Sequence, residues 1–409
     1  MASMNVMFAW ELGAGMGHVE RHLDLADLLR RRGAQVTFVV KNLRLADAVL
    51  RPRGFRCLQA PQVPSRSRSQ GVMASYADIL AYHGLADEDR CRPLLAAWID
   101  VFRLCHTDVV LLDHAPAALF AAKCCGVRTV SLDIGFCRPP DVSPFPSFRP
   151  DLALELDELL RREQACVAQM RSFSDTFSVS VGETLADCVR PDVTLLNTFP
   201  ELDHYPQRTA GCYIGAIQSY SSGEVMTWRH VRRHKVFVYL RGIPGMERIM
   251  AGLKESDAEY IVYSPDLTQA QRLALADAAF QVSHGPVRVD QVLQGCDLVV
   301  SNGGHGLVSA CLLHGVNVLA VPLYVEQRLM VDCLRRAGIG MGVPMNRLET
   351  ELRARFDEVL ESGKYKLAAT NLREKYRDYD LTDTLTRVAE ISEREGMHDQ
   401  RADLNPEEG

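Results

Sequence analysis

The 409-residue chain reads as an α/β protein with two Rossmann-like domains, each a doubly wound parallel sheet. Apolar stretches of strand character alternate with stretches of helical periodicity, and that series runs twice along the chain. A polar, turn-rich segment over 206–234 separates the two runs and reads as a linker. Hydrophobic residues make up 47% of the chain and charged residues 24%, enough apolar material for two buried cores.

The first domain is expected over 1–205. It opens with the strand pattern Asn5–Trp10, a turn through Gly13, Gly15 and Gly17, and a helix in which Val19, Leu23, Ala26 and Leu29 recur at helical spacing until Gly33. A strand at Gln35–Val40, a helix at Leu43–Leu50 and a short strand at Phe55–Leu58 complete a βαβαβ order. Residues 61–70 combine Pro, Ser and Arg without periodicity and predict an exposed loop. The rhythm resumes with a strand at Asp108–Leu112, a helix at Ala115–Cys125 and a strand at Val127–Leu132. A Pro-rich loop over Arg138–Pro150, a helix from Asp151 to about Phe173 and a last strand over 192–197 follow. The second domain, expected over 235–390, has strands at Lys235–Tyr239, Tyr260–Tyr263, Gln281–Val287, Asp297–Ser301 and Val316–Val321. Residues 391–409 are expected to be a polar tail, frayed from Gln400 onward.

The formal net charge of −6 lacks the basic footprint that phosphate-backbone binding needs, so no nucleic-acid partner is expected. No apolar run is long enough to span a bilayer and the N-terminus has no signal-peptide pattern, so a cytoplasmic protein without integral membrane association is expected. The twelve cysteines form no Cys-x-x-Cys pair and read as small buried hydrophobes.

The segment from Cys296 to Gly315 is an apolar strand, a turn with three glycines in four positions, and a helix closed by Gly315. Glycines let the backbone approach a ligand closely, and the amides of a helix N-terminus favour an anion, so a diphosphate fits there. The alternative is a tight strand-to-helix turn that binds nothing. The next strand ends near Glu326 and Gln327, which places both at the strand ends where open α/β sheets bind ligands. A carboxylate beside an amide can grip vicinal sugar hydroxyls, although such a pair is also common on surfaces.

Residues 290–327 resemble the donor-binding signature of the UDP-glucuronosyltransferase and macrolide-glycosyltransferase superfamily. Val292-Leu293, Cys296-Asp297, Asn302-Gly303-Gly304-x-Gly306, Gly315, Pro322 and Glu326-Gln327 occur in its order and spacing. The resemblance implies the GT-B fold, with two Rossmann-like domains facing across a cleft. It also implies a nucleoside-diphosphate sugar as co-substrate, with no metal and no further cofactor. Donor contacts are implied at Gly17, Val289, Asn302, Gly303, Gly304, His305, Gly306, Glu326 and Gln327. Two positions depart from the family: Asn302 replaces its phosphate-binding His, and Leu307 replaces a Ser or Thr hydroxyl. Asn302 can still donate through its amide, and His305 is close enough in sequence to add a donor. Arg288-Val289 stands where the family has Pro-Gln, so base contacts would be mostly to backbone.

The same family has Gly-x-Gly-His at the first strand-helix turn, matched by Gly15-Met16-Gly17-His18, with the His as catalytic base. An acceptor hydroxyl needs such a base, and a neutral imidazole serves near pH 7, helped by a helix N-terminus. Asp113, at the end of its strand, is the expected orienting carboxylate. The alternatives are that His18 packs or caps at its helix start and that Asp113 only caps the helix after it. Asp87-Glu-Asp89 and Asp378-Tyr-Asp380 follow no apolar strand as a metal motif would, and read as charged surface. The resemblance thus implies an inverting, metal-independent glycosyltransferase acting on an unidentified small-molecule or glycan acceptor. A sugar-nucleotide 2-epimerase and a non-catalytic binding protein of the same fold are the alternatives.

Overall fold

The computed structural model describes residues 3–64, 72–218 and 220–398. The chain divides into two compact units. The first comprises the chain through Asn197, Tyr205–Gln218 and the chain from Leu381 onward, and the second comprises Thr198–His204 and Ser219–Asp380.

The first unit is a parallel six-stranded sheet of β1 (Asn5–Trp10), β2 (Gln35–Val40), β3 (Arg56–Gln59), β4 (Val109–Asp113), β5 (Arg128–Ser131) and β6 (Val193–Thr194). Its order is β3-β2-β1-β4-β5-β6. Strands buried on both faces should read as continuous apolar runs rather than alternating ones, and β1 and β4 do. Val6, Phe8 and Trp10 pack on one side with Leu25 and Leu29 of the helix Leu23–Arg31. Met7 and Ala9 pack on the other side with Trp98, Phe102 and Phe120.

The second unit repeats the plan with β7 (His234–Tyr239), β8 (Ala258–Tyr263), β9 (Phe280–Val282), β10 (Leu298–Ser301), β11 (Asn317–Ala320) and β12 (Gly340–Gly342), all parallel, in the order β12-β11-β10-β7-β8-β9. Strand order reverses between β1 and β4 in one sheet and between β7 and β10 in the other. Loops at those reversals diverge to opposite faces and leave room for a ligand.

The structure differs from the sequence reading in four places. The single helix expected after Gly17 is two helices, Gly17–Glu20 and Leu23–Arg31, broken at Arg21 and His22, whose side chains turn to Asp113. Between the expected loop at 61–70 and the strand at Asp108–Leu112 stand two helices that the sequence reading did not name: Tyr76–Tyr82, and Glu88–Leu104, whose buried Cys91, Leu94, Leu95, Trp98, Ile99 and Phe102 follow helical spacing. The loop expected over 61–70 falls mostly on 65–70, outside the described residues, as does the stretch from Gln400. β9 stops at Val282, short of the expected Val287. Finally, the expected second domain ran to residue 390, yet the helix Leu381–His398 belongs to the first unit. Its Leu385, Val388 and Ala389 join the core around Phe8, and Glu393 and Glu395 pair with Arg32 and Arg128.

Candidate functional site

The β1–β4 reversal brings His18 to Asp113. Trp10 and Asp113 are register partners at the ends of their strands, so the turn that follows Trp10 runs beside the Asp113 carboxylate. His18 Nδ1 lies 2.8 Å from Asp113 Oδ1. An ionised carboxylate only accepts, so Nδ1 carries the proton and Nε2 keeps its lone pair. The imidazole stacks on Trp10, with centroids 5.2 Å apart and planes 13° apart. Gly13 holds φ +83°, and a Cβ there would overlap His18 Nε2. Glycine therefore serves twice at that position: it permits the turn and avoids a Cβ that would overlap the basic nitrogen. Nε2 has no hydrogen-bond partner among the described residues. The helix that begins at Gly17 is only four residues long, so the helix-dipole support expected for a neutral His18 is small.

Asp113 has more partners than the sequence suggested. His22 Nε2 is 2.8 Å from Oδ2, and Arg21 Nε is 3.3 Å from the same oxygen. Burial alone would push the Asp113 carboxyl up, but Arg21, His18 and His22 together hold it well below the usual carboxylate range. Burial pushes the His22 imidazole down despite Asp113. His22 stands four residues after His18, one helical turn on, and that spacing was a legible signal.

A second set of bonds fixes the two loops. Leu12 N donates to His114 O at 3.0 Å, and buried Glu11 accepts from Ala117 N and Ala118 N at 2.9 and 2.7 Å. Glu11 thus caps the helix Pro116–Cys125, which has no side-chain cap of its own. Asp113 does not cap that helix. Burial raises the Glu11 carboxyl to about 8. His114 takes φ +50°, uncommon for a residue with a side chain, and its amide donates to Asp133 at 2.6 Å.

In the second unit the glycine turn follows β10. Gly303 holds φ +79°, and a Cβ there would press on Ala320. Gly304 caps the helix His305–His314 without a side-chain bond, and a Cβ on Gly304 would meet nothing within 4 Å. The amides of Gly306 and Leu307 donate to no acceptor among the described residues. They are the donors an anion would use.

Several expected donor residues have other occupations. Asn302 was expected to offer its amide to phosphate. Instead Nδ2 donates to Arg241 O at 3.3 Å and Val321 O at 3.1 Å, while Oδ1 accepts from Arg241 N at 3.0 Å. β10 lies between β7 and β11, so this side chain ties together the loops that leave both neighbours. His305 is likewise turned to protein, with Nε2 2.7 Å from Thr198 Oγ1. Gln327 Oε1 accepts from Leu323 N and Tyr324 N at the start of the helix Val325–Ala337, which leaves only its Nε2 for a ligand. Glu326 stands half-buried in the first turn of that helix. Val289 opens a helical turn beside the Arg288–Asp290 ion pair, and Gly17 O accepts from Arg21 Nε. One residue went unnoticed in the sequence: Arg241, held at its backbone by Asn302, makes no ion pair or side-chain hydrogen bond among the described residues. Among the described residues no group of three His, Cys, Asp or Glu side chains could hold a metal ion, and no helix is long and apolar enough to cross a membrane.

No family model matches the chain. Over 80 residues it is 34% identical to the PGL/p-HBAD biosynthesis glycosyltransferase of Mycobacterium tuberculosis, a match spanning 19% of this chain and only 19% of that protein. Solved structures match far more of the molecule. CalG4, the calicheamicin glycosyltransferase, superposes with a TM-score of 0.71 at 16% identity, covering 97% of this chain and 99% of that one. The glycosyltransferase SnogD from Streptomyces nogalater gives 0.62 at 17% identity, covering 96% and 100%. VinC, a glycosyltransferase solved in complex with dTDP, gives 0.63 at 16% identity, covering 95% and 100%. With two Rossmann-like units of the same strand plan, the chain has the GT-B fold of these glycosyltransferases.

Proposed function

We propose that the chain is an inverting glycosyltransferase that moves a sugar from a UDP- or dTDP-linked donor to an acceptor hydroxyl, with His18 as general base. The observation that carries this reading is the 2.8 Å bond from His18 Nδ1 to Asp113, which leaves Nε2 without a hydrogen-bond partner among the described residues. In the reaction, His18 Nε2 takes the acceptor's hydroxyl proton as its oxygen attacks the anomeric carbon. The bond from that carbon to the phosphate oxygen breaks, and the nucleoside diphosphate leaves with the bonding electrons. Attack opposite the leaving group inverts the carbon, and Asp113 stabilises the imidazolium that forms.

The diphosphate would rest on the amides of Gly306 and Leu307, which replace the side-chain hydroxyl lost at position 307. Arg241 would supply the cationic donor that the family draws from a His at position 302. VinC was solved with dTDP, which supports a nucleoside diphosphate of that type here. The reaction as written calls on no metal.

Isothermal titration with UDP and dTDP tests the reading: one of them should bind with sub-millimolar affinity, and Arg241→Gln should weaken it about tenfold. Binding of neither at millimolar concentration would overturn it. The structural use of Asn302 favours one competing reading, a binding protein of this fold that has lost donor recognition. The same titration separates the two.

A further inference from the structure

We infer that His22 and Arg21 are positioning residues for the pair His18–Asp113: they fix the carboxylate through Oδ2 and temper its pull on the His18 proton. Each carboxylate oxygen has its own imidazole, Oδ1 facing His18 Nδ1 and Oδ2 facing His22 Nε2, both at 2.8 Å. Asp113 cannot swing away from His18 without breaking the other bond. His22 is 2% exposed, and its Nδ1 is buried without a partner. A proton on that nitrogen would be a buried donor with no acceptor, so His22 stays neutral and donates only through Nε2. Arg21 supplies the fixed positive charge, 3.3 Å from Oδ2, and its Nε is anchored on Gly17 O at 2.7 Å.

The charge balance around His18 follows from these partners. A carboxylate alone beside a histidine favours the imidazolium, which would leave little free base at neutral pH. Here the Asp113 carboxylate is already shared with Arg21 and with the His22 N–H. The other groups that face the ring are Trp10, which stacks on it, and His114, with its centroid 6.4 Å away and its imidazole held neutral by burial. Lys41 reaches the Gly13 carbonyl from behind the turn at 2.8 Å, and Glu20 belongs to the same helical turn as His18. Asp133 stands beyond His114 and accepts from its amide. Among these, only Arg21 and His22 touch Asp113 Oδ2.

The role of this set in turnover rests on the reading of His18 as the base, but its effect on the His18 proton does not. NMR titration of labelled histidine in the protein without substrate therefore tests it directly. His22→Leu and Arg21→Gln are each expected to raise the His18 midpoint, by about one pH unit or tenfold in proton affinity. His22→Gln, whose amide nitrogen reaches the place of Nε2, should restore the wild-type midpoint. An unchanged midpoint in both His22→Leu and Arg21→Gln would overturn the proposal, as would failure of Gln to restore it. If His22→Leu does not fold, Arg21→Gln and His22→Gln still decide, the first shifted and the second not. In an active preparation the acid limb of kcat/KM should move with the NMR midpoint. A shifted midpoint in a protein that transfers no sugar would uphold this inference while refuting the proposed activity.

Discussion

At the end of β4, Asp113 accepts from His18 and His22 and stands beside Arg21. One residue past the end of β10, the strand in the same place of the second sheet, Asn302 accepts from Arg241 N and donates to Arg241 O and Val321 O. Both side chains bind together loops that the strand order drives apart. A neutral amide does so with backbone groups alone, since it has both donors and acceptors. It adds no charge to the loops it joins. A buried carboxylate only accepts, so it must gather cations and imidazoles, here Arg21, His18 and His22. The two reversals teach that one strand plan can tie its diverging loops with either a neutral or a charged side chain, and the proposed division of work, phosphate at one and proton transfer at the other, follows that difference.

The largest expected break in that division is His18→Ala. Sugar transfer should fall by about a thousandfold while UDP or dTDP affinity in isothermal titration stays within about twofold. An equal loss of affinity would show that the two reversals do not divide the work. Next is Asn302→Asp, which gives the second reversal the charge of the first. It should weaken nucleoside-diphosphate binding about thirtyfold through like-charge repulsion, with less effect at acidic pH as the new carboxyl protonates. Unchanged affinity would mean that the phosphates bind elsewhere.

A third prediction compares the units by pH. Burial raises Glu11 to about 8 and Asp133 to about 7 in the first unit, whereas Glu224, Asp277 and Asp290 in the second are lowered, chiefly by side-chain hydrogen bonds. A raised carboxyl contributes stability that is fully present below its unfolded value and lost as pH rises through its folded value. A lowered one contributes stability present above its unfolded value and lost as pH falls. The Glu11 and Asp133 contributions to the first unit should therefore weaken from about pH 5 to pH 9, by at most about 1.4 kcal/mol per pH unit for each proton, while the lowered His22 and His114 act in the opposite sense below about pH 7. The lowered carboxyls of the second unit contribute a loss only toward acid. Hydrogen-exchange protection factors, corrected for intrinsic rates and resolved by unit, check this, and Glu11→Gln should flatten the alkaline loss. The smallest effect is expected of Leu307→Thr, which returns a hydroxyl to the glycine turn and should tighten nucleotide binding about fivefold. No gain would indicate that the Leu307 amide already meets that phosphate oxygen.

Much of this molecule was legible because its signals are local. Unbroken apolar runs such as Val6–Trp10 and Leu298–Ser301 declare strands buried on both faces, and glycines at 13, 303 and 315 mark backbone with positive φ. The pairing of His18 with Asp113 followed from the rule that the strand after a reversal ends beside the first turn, together with the family resemblance. The helix Glu88–Leu104 carries a clear apolar stripe too, and it went unread between the loop expected at 61–70 and the strand at Asp108–Leu112.

The sequence by itself determined the strand plan, the two turns and the identity of one candidate dyad, because 2.0 and 3.6 residue periods and turn chemistry are properties of neighbours in the chain. Only the tertiary structure decided which partners the polar side chains would take. Asn302 finds Arg241 61 residues away, His22 finds Asp113 91 away, and Glu11 finds Ala117 106 away. A buried polar group must be satisfied by whatever the packing brings within about 3 Å, and no local period encodes that.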